Sequence, residues 1–176
     1  YDTTRKPLTD FPRKLTAYLA KRFDLNGKML DIACGRGEHS QGFHELGLDV
    51  WSVDMAETAA SEYDRKDERF KLWEIGKGPA PFEDNTFDVV FCKSVIEHVD
   101  AEELLNEISR ILKPGGKVII LTLDWWYDFR MWYIDHTHGY GVPWMKHSLR
   151  NIMLAFGFED LEVENMYYLE WTWNNP

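Results

Sequence analysis

Apolar positions recur in two rhythms along the chain. From Asp10 to Asn26 the rhythm is helical. Leu15, Leu19 and Phe23 stand at i, i+4 and i+8 and mark one buried face. Asp10-Phe11-Pro12 predicts the start of that helix, with Asp as N-cap and Pro in the first turn, and Asn26-Gly27 predicts its end. Lys28 to Ala33 is a short apolar run suited to a buried strand. Cys34-Gly35-Arg36-Gly37 turns the chain, and Glu38 to Leu46 predicts a helix closed by Gly47. Asp49 to Val53 predicts a second strand ending at Asp54, Ala56 to Asp67 a polar, Ala-rich helix, and Phe70 to Ile75 a third strand. A Gly- and Pro-rich loop over Gly76 to Thr86 leads to a fourth strand, Phe87 to Cys92. Ala101 to Leu112 is amphipathic, with Leu104, Leu105, Ile108 and Leu112 facing inward. Lys113-Pro114-Gly115-Gly116 stops this helix, and Lys117 to Leu123 predicts a fifth strand.

Strand and helix thus alternate, which predicts an α/β fold with an open, doubly wound, mostly parallel sheet and right-handed crossovers. The stretch from Asp124 to Trp144 interrupts the alternation with a crowd of Trp, Tyr and Phe. Beyond it, Ser148 to Phe156 predicts a helix stopped by Gly157, and Phe158 to Val163 and Met166 to Trp173 predict strands. No repeat, low-complexity tract or dividing linker interrupts the 176 residues, so they are expected to form a single domain with an aromatic-rich insertion over about 124–147.

Composition narrows the function classes. With 44% hydrophobic and 28% charged residues the chain is a globular protein, and no apolar run approaches a membrane span. A net charge of −10 disfavours a nucleic-acid partner, which needs clustered Lys and Arg against phosphate. Arg5, Lys6, Arg13, Lys14, Lys21 and Arg22 are a local basic exception, expected to be a solvated helix face. The first residues, Tyr1 to Pro7, hold no apolar stretch of signal-peptide type. The two cysteines, Cys34 and Cys92, are expected to be buried packing residues in a reduced, cytoplasmic setting. No Cys/His spacing predicts a metal.

The chemistry is expected at the first strand-to-helix turn. In open α/β sheets ligands bind beyond the carboxyl ends of the strands. Gly35 and Gly37 let the backbone bend sharply and let a ligand approach with no Cβ in the way. The next helix turns its free N–H groups into the same space. A Rossmann dinucleotide site wants a third Gly where this chain has Ser40. Asp54 closes the second strand, placed to accept from a ribose diol, and Glu74 closes the third, within reach of an adenine amino group. Acids at both places suit a nucleoside without an adjoining phosphate. The plainer alternative for each is a helix N-cap or a solvated loop end.

These residues carry a resemblance. Leu30-Asp31-Ile32-Ala33-Cys34-Gly35-Arg36-Gly37 resembles the first motif of class I S-adenosylmethionine-dependent methyltransferases. Pro81 to Val90 resembles the loop and fourth strand of their small-molecule branch. Ser94-Val95-Ile96-Glu97-His98-Val99 and Arg110 to Gly116 continue the similarity in order. The resemblance covers residues 28 to 123 strongly and 135 to 163 more loosely. It implies a Rossmann-like, seven-stranded-type sheet and S-adenosyl-L-methionine as cofactor, with S-adenosyl-L-homocysteine as product. It implies that Gly35 and Gly37, with Ala33, line the methionine moiety, that Asp31 fixes the turn or the amino group, and that Asp54 holds the ribose. Met55 would pack on the adenine, with Glu74 and Ile75 flanking it; Glu74 departs from the Asp of many relatives. Lys93 and Ser94 would lie near the sulfonium or the substrate entrance. The usual closing antiparallel hairpin is expected to be short or missing here, or supplied by a second copy, which leaves homodimerisation open.

On the acceptor side the expectation is O-methylation of a small molecule or saccharide. Asp135-His136-Thr137-His138 resembles a pattern in methyltransferases found with glycan-assembly enzymes. His138 is the candidate base or acceptor-orienting residue, His98 the second candidate, and Asp135 a carboxylate that orients either His or contacts a sugar hydroxyl. For each His the alternative is a bracing or packing role. The aromatics around Trp125 to Trp144 suit a lid that stacks on the acceptor and excludes water; the alternative is core or dimer contact. Two other readings stay open: a cofactor-binding module without turnover, and a nicotinamide-dependent oxidoreductase, against which Ser40 counts.

Overall fold

The computed structural model describes residues 9–124 and 144–166. Five strands, β1 (Lys28–Ile32), β2 (Asp49–Asp54), β3 (Phe70–Leu72), β4 (Phe87–Lys93) and β5 (Leu112–Leu121), form one sheet. Its order is β3-β2-β1-β4-β5 and every pairing is parallel. Around it lie α1 (Phe11–Arg22), α2 (Glu38–Glu45), the single turn α3 (Lys66–Arg69), α4 (Ala101–Ile111) and α5 (Lys146–Ala155). The expected doubly wound α/β sheet is therefore present, with five strands rather than seven among the described residues.

β1, β2, β4 and β5 each feed two cores, because alternate side chains leave opposite faces. Leu30, Ile32, Val53, Val90 and Cys92 face α4, whose Leu104, Leu105, Ile108 and Ile111 are fully buried. Met29, Val50, Val89 and Phe91 face α1 and α2, meeting Leu15, Leu19 and Phe43. Burial of each such side chain contributes roughly 1.5–3 kcal/mol. α4 begins at Asp100, whose carboxylate accepts from the N–H groups of Glu102 at 2.8 Å and Glu103 at 3.4 Å. At α1 the predicted cap holds only in part. Pro12 stands in the first turn, but the Asp10 side chain makes no capping bond.

Four expectations are corrected. The predicted helix over Ala56 to Asp67 is a series of turns, and only its last two residues enter the short helix Lys66–Arg69. Its polar backbone bonds elsewhere, with Ala60 N–H donating to Gly35 O at 2.7 Å and Glu62 N–H to Arg36 O at 2.8 Å. Ala60 also takes a left-handed conformation that ends any helix there. β3 stops at Leu72, so Glu74 and Ile75 lie past the strand in a turn closed by Lys77 N–H to Glu74 O. β5 starts at Leu112 and absorbs Pro114, Gly115 and Gly116 through a register shift opposite Phe87–Val89. Residues 158–163 form no strand. Met166 to Trp173 lies almost wholly outside the described residues.

Cys34 and Cys92 are free and buried, as expected, and burial pushes both thiols up in pKa. The basic face of α1 is partly paired: Arg13 binds Glu45 at 2.8 Å, and Arg22 binds Glu162 and Glu164. Among the described residues no helix is long and apolar enough to cross a membrane.

Candidate functional site

The strand order reverses between β1 and β4, which makes the carboxyl ends of these two neighbours the crevice of the fold. Ile32 pairs with Cys92, so both strands end at the same level. Each then passes into a left-handed residue: Ala33 at φ +54° after β1, and Ser94 at φ +56° just past Lys93. Such residues strain the backbone, and they gather at sites where the chain must turn out of the sheet within one residue. Cys34 N–H is still tied to Val53 O at 3.0 Å, and Ser94 N–H to Leu121 O at 2.8 Å. The crevice walls are therefore rooted in the neighbouring strands.

Asp54, only 6% exposed, bridges the two halves of this rim. Its Oδ2 accepts from Gly35 N–H at 2.9 Å and its Oδ1 from Ala56 N–H at 3.0 Å. The carboxylate is thus held rigidly at the end of β2 with lone pairs to spare. Met55, the next residue, is 67% exposed, an apolar side chain left in solvent beside a fixed acid. Glu74 is exposed and Ile75 half-buried at the end of the β3 turn.

Gly37 differs from the expectation of open space. A Cβ there would lie 2.9 Å from Tyr63 Cβ and 3.0 Å from Ala60 Cα, and its φ is +80°. This glycine admits the 56–63 segment rather than a ligand. That segment is anchored from below by Tyr63 Oη, which donates to Val50 O at 2.7 Å.

Asp31 is buried on the α2 side of β1. Ser40 Oγ donates to its Oδ2 at 2.6 Å, and Ser52 Oγ in turn donates to Ser40 Oγ at 2.8 Å. Burial pushes the Asp31 pKa up to about 7, against the hydrogen bonding of Ser40 and with the help of neighbouring Asp54. Of the two roles considered for Asp31, the geometry supports fixing the turn: it ties β1 to the first turn of α2. Lys93, from β4, reaches the same space. Burial pulls its pKa down, while Glu97, Asp31 and Glu38 oppose that. Its ammonium lies 3.4 Å from Ser94 Oγ.

Glu97 is 2% exposed and accepts from Thr122 Oγ1 at 2.8 Å, tying the segment after β4 to the end of β5. His98, one of the expected catalytic histidines, lies 4.0 Å from Glu97 through Nε2 and is mostly buried. Its N–H closes a turn onto Val95 O at 2.7 Å. His138 and Asp135 lie outside the described residues, as does the aromatic stretch 125–143. Trp144, which ends that stretch, is buried and donates from Nε1 to Ile96 O at 3.2 Å, so this ring belongs to the core.

His39 escaped the sequence reading. It sits in the first turn of α2, with its ring centroid 5.6 Å from Phe91 and 6.5 Å from Phe11. Burial, and then Lys93, pull its pKa down to about 4, so the ring is neutral at ordinary pH. Only its position beside the glycine turn hinted at this, since a His in a polar helix turn looks like a surface residue.

A parallel sheet with its crevice between β1 and β4, an acid at the end of β2 and a glycine turn after β1 fit the class I S-adenosylmethionine-dependent methyltransferase fold. The methyltransferase domain family matches residues 30–120, and the chain belongs to that family. A crystal structure of a SAM-dependent methyltransferase from Archaeoglobus fulgidus superposes with a TM-score of 0.70 at 26% identity, covering 88% of this chain and 73% of that one. Phosphoethanolamine N-methyltransferase 2 from Haemonchus contortus, solved in complex with S-adenosyl-L-methionine, matches with a TM-score of 0.68 at 30% identity, over 87% of this chain and 38% of that one. Ubiquinone biosynthesis O-methyltransferase from Xanthomonas oryzae is 31% identical over 133 residues, 70% of this chain and 54% of the relative. The chain spans about a third to a half of the length of the curated relatives it matches.

Proposed function

We propose that this chain binds S-adenosyl-L-methionine and transfers its methyl group to an oxygen of a small molecule or saccharide. The cofactor supplies an electrophilic methyl on a sulfonium, so the protein's share is to hold donor and acceptor in line. The observation that carries the reading is the Asp54 carboxylate, fixed by Gly35 and Ala56 at the rim of the switch point with lone pairs left for a ribose diol. Exposed Met55 and the Glu74–Ile75 turn would flank the adenine. Ala33 and Gly35 would shape the methionine end, with Gly37 seating the 56–63 segment behind them, and Asp31 would support the turn through α2. Lys93 and Ser94 would border the methyl. In this reading residues 1–176 act as one domain, with 124–147 on the acceptor side. His138 is assigned as base or acceptor-orienting residue, His98 as the second candidate, and Asp135 as a carboxylate that orients either His or contacts a sugar hydroxyl.

An amine acceptor is the second reading, favoured by the similarity to a phosphoethanolamine N-methyltransferase. Transfer of labelled methyl to hydroxyl or to amine acceptors separates the two. Calorimetry with S-adenosyl-L-homocysteine tests the site itself. Asp54→Ala should weaken binding about ten- to a hundredfold, the loss of one or two hydrogen bonds to a charged group. His138→Ala should leave binding intact and slow transfer. Equal affinity of the native chain and Asp54→Ala removes the ribose assignment.

A further inference from the structure

The loop from Gly76 to Asp84 follows the Glu74–Ile75 turn and returns to β4 without a helix of its own. α4 supplies its support. Glu103, Glu107 and Arg110 stand at i, i+4 and i+7, on one face of that helix. Arg110 Nη1 donates to Phe82 O at 2.8 Å and to Asp84 Oδ1 at 2.8 Å. Its Nη2 donates to Ala80 O at 3.0 Å and to Glu107 Oε2 at 2.8 Å. Glu107 Oε2 also accepts from Ala80 N–H at 2.7 Å. Closer to Glu74, the Glu103 carboxylate fills the space where any side chain at Gly76 would begin. From the sheet side Lys71 Nζ donates to Pro81 O at 3.0 Å, and Trp73 Nε1 to Gly78 O at 3.0 Å. A loop with little secondary structure is thus held at Ala80, Phe82 and Asp84 by one planar guanidinium, whose fork geometry Lys cannot reproduce.

We infer that Arg110, braced by Glu107, is a positioning residue for recognition of the cofactor's base: it fixes the loop that presents Glu74 and Ile75 to the adenine. This rests on the cofactor reading above. A guanidinium shared among two carbonyls and two carboxylates leaves the loop one geometry. Released from it, the loop keeps the bonds from Lys71 and Trp73 but loses those at Ala80 O, Phe82 O and Asp84, and a hydrogen bond to the base must then be formed against the entropy of ordering that stretch.

The test compares S-adenosyl-L-homocysteine with S-inosyl-L-homocysteine, in which the exocyclic amino group of the base is replaced by an oxo group. The native chain is expected to prefer the adenosyl compound about tenfold, one hydrogen bond's worth. Arg110→Met should bring that ratio close to one, Arg110→Lys should restore part of it, and Glu107→Gln should give an intermediate value. A folded Arg110→Met that keeps the native ratio overturns the inference. If Arg110→Met does not fold, Glu107→Gln and Asp84→Asn decide it, and native ratios in both overturn it. A native chain that binds the adenosyl compound without preferring it overturns this inference and leaves the cofactor reading standing. A native chain that binds neither ends both.

Discussion

Ser40 Oγ donates to Asp31 Oδ2 at 2.6 Å, joining the last buried polar position of β1 to the first turn of α2. The bond spans the glycine turn, so Gly35 and Gly37 are held between two fixed points. It is also a poor home for a charge, because Asp31 is 2% exposed and its pKa is raised to about 7. Next to Ser40, in the same turn of α2, His39 is pulled the opposite way, down to about 4. Both groups are neutral over part of the same pH range, and each is driven there chiefly by burial.

Their effects on stability oppose each other. For Asp31 the folded pKa of about 7 lies above the ordinary 3.8, so between these values the native state binds the extra proton and stability falls as pH rises. For His39 the folded pKa of about 4 lies below the ordinary 6.5, so the unfolded state binds the extra proton and stability rises with pH. Asp31→Asn should expose the His39 slope, with stability climbing by roughly 2–3 kcal/mol from pH 4 to 6.5 relative to the native chain. His39→Phe, which keeps the contact with Phe91, should expose the Asp31 slope, falling by a similar amount from pH 4 to 7. Urea denaturation at several pH values measures both. Parallel pH profiles for the two variants would contradict this account.

The glycine turn makes two predictions of opposite sign. Ala33 holds a left-handed conformation with a Cβ, at a cost of about 1 kcal/mol, so Ala33→Gly should stabilise by up to that amount after the larger entropy of the unfolded Gly is allowed for. Gly37→Ala meets both an unfavourable φ and the backbone of Ala60 at 3.0 Å, which cannot swing aside as a side-chain end can. It should destabilise by about 2–3 kcal/mol. Denaturant midpoints at constant slope report both values. A neutral Gly37→Ala would mean that the 56–63 segment is not seated on the turn as described.

The sheet and the acid at its rim were legible because their signals are local. A buried parallel strand reads as a mainly apolar run, and Asp54 closes the one that includes Val50, Trp51 and Val53. The same holds for α4, whose apolar face follows from spacing alone. What escaped the sequence depends on partners distant along the chain. The 56–67 segment looks helical until Gly35 O and Arg36 O take its N–H groups. Arg110 looks solvated until the carbonyls of Ala80 and Phe82 arrive from about thirty residues earlier. Gly37 looks like a ligand cradle until Tyr63 is placed against it. His39 looks exposed because nothing near it in sequence foretells Phe91. In each case tertiary contact overrides a reasonable local preference.

Lys93 offers a test of the electrostatics at the crevice itself. Its charge lowers the pKa of both Asp31 and His39, and it is itself surrounded by the carboxylates Glu97, Asp31 and Glu38. Lys93→Met removes that cation and leaves the acids. The His39 pKa should then rise from about 4 toward its ordinary value, and that of Asp31 should rise above about 7. Imidazole and carboxyl NMR titrations read these shifts directly. A more negative crevice should also favour a sulfonium over a neutral thioether. The affinity for S-adenosyl-L-methionine relative to S-adenosyl-L-homocysteine should therefore rise about three- to tenfold, the scale of one charge interaction in a partly buried site. Added salt should leave most of that gain in place, because buried charges are screened less than exposed ones. An unchanged affinity ratio alongside the expected NMR shifts would place Lys93 away from the sulfur while keeping it beside Asp31 and His39.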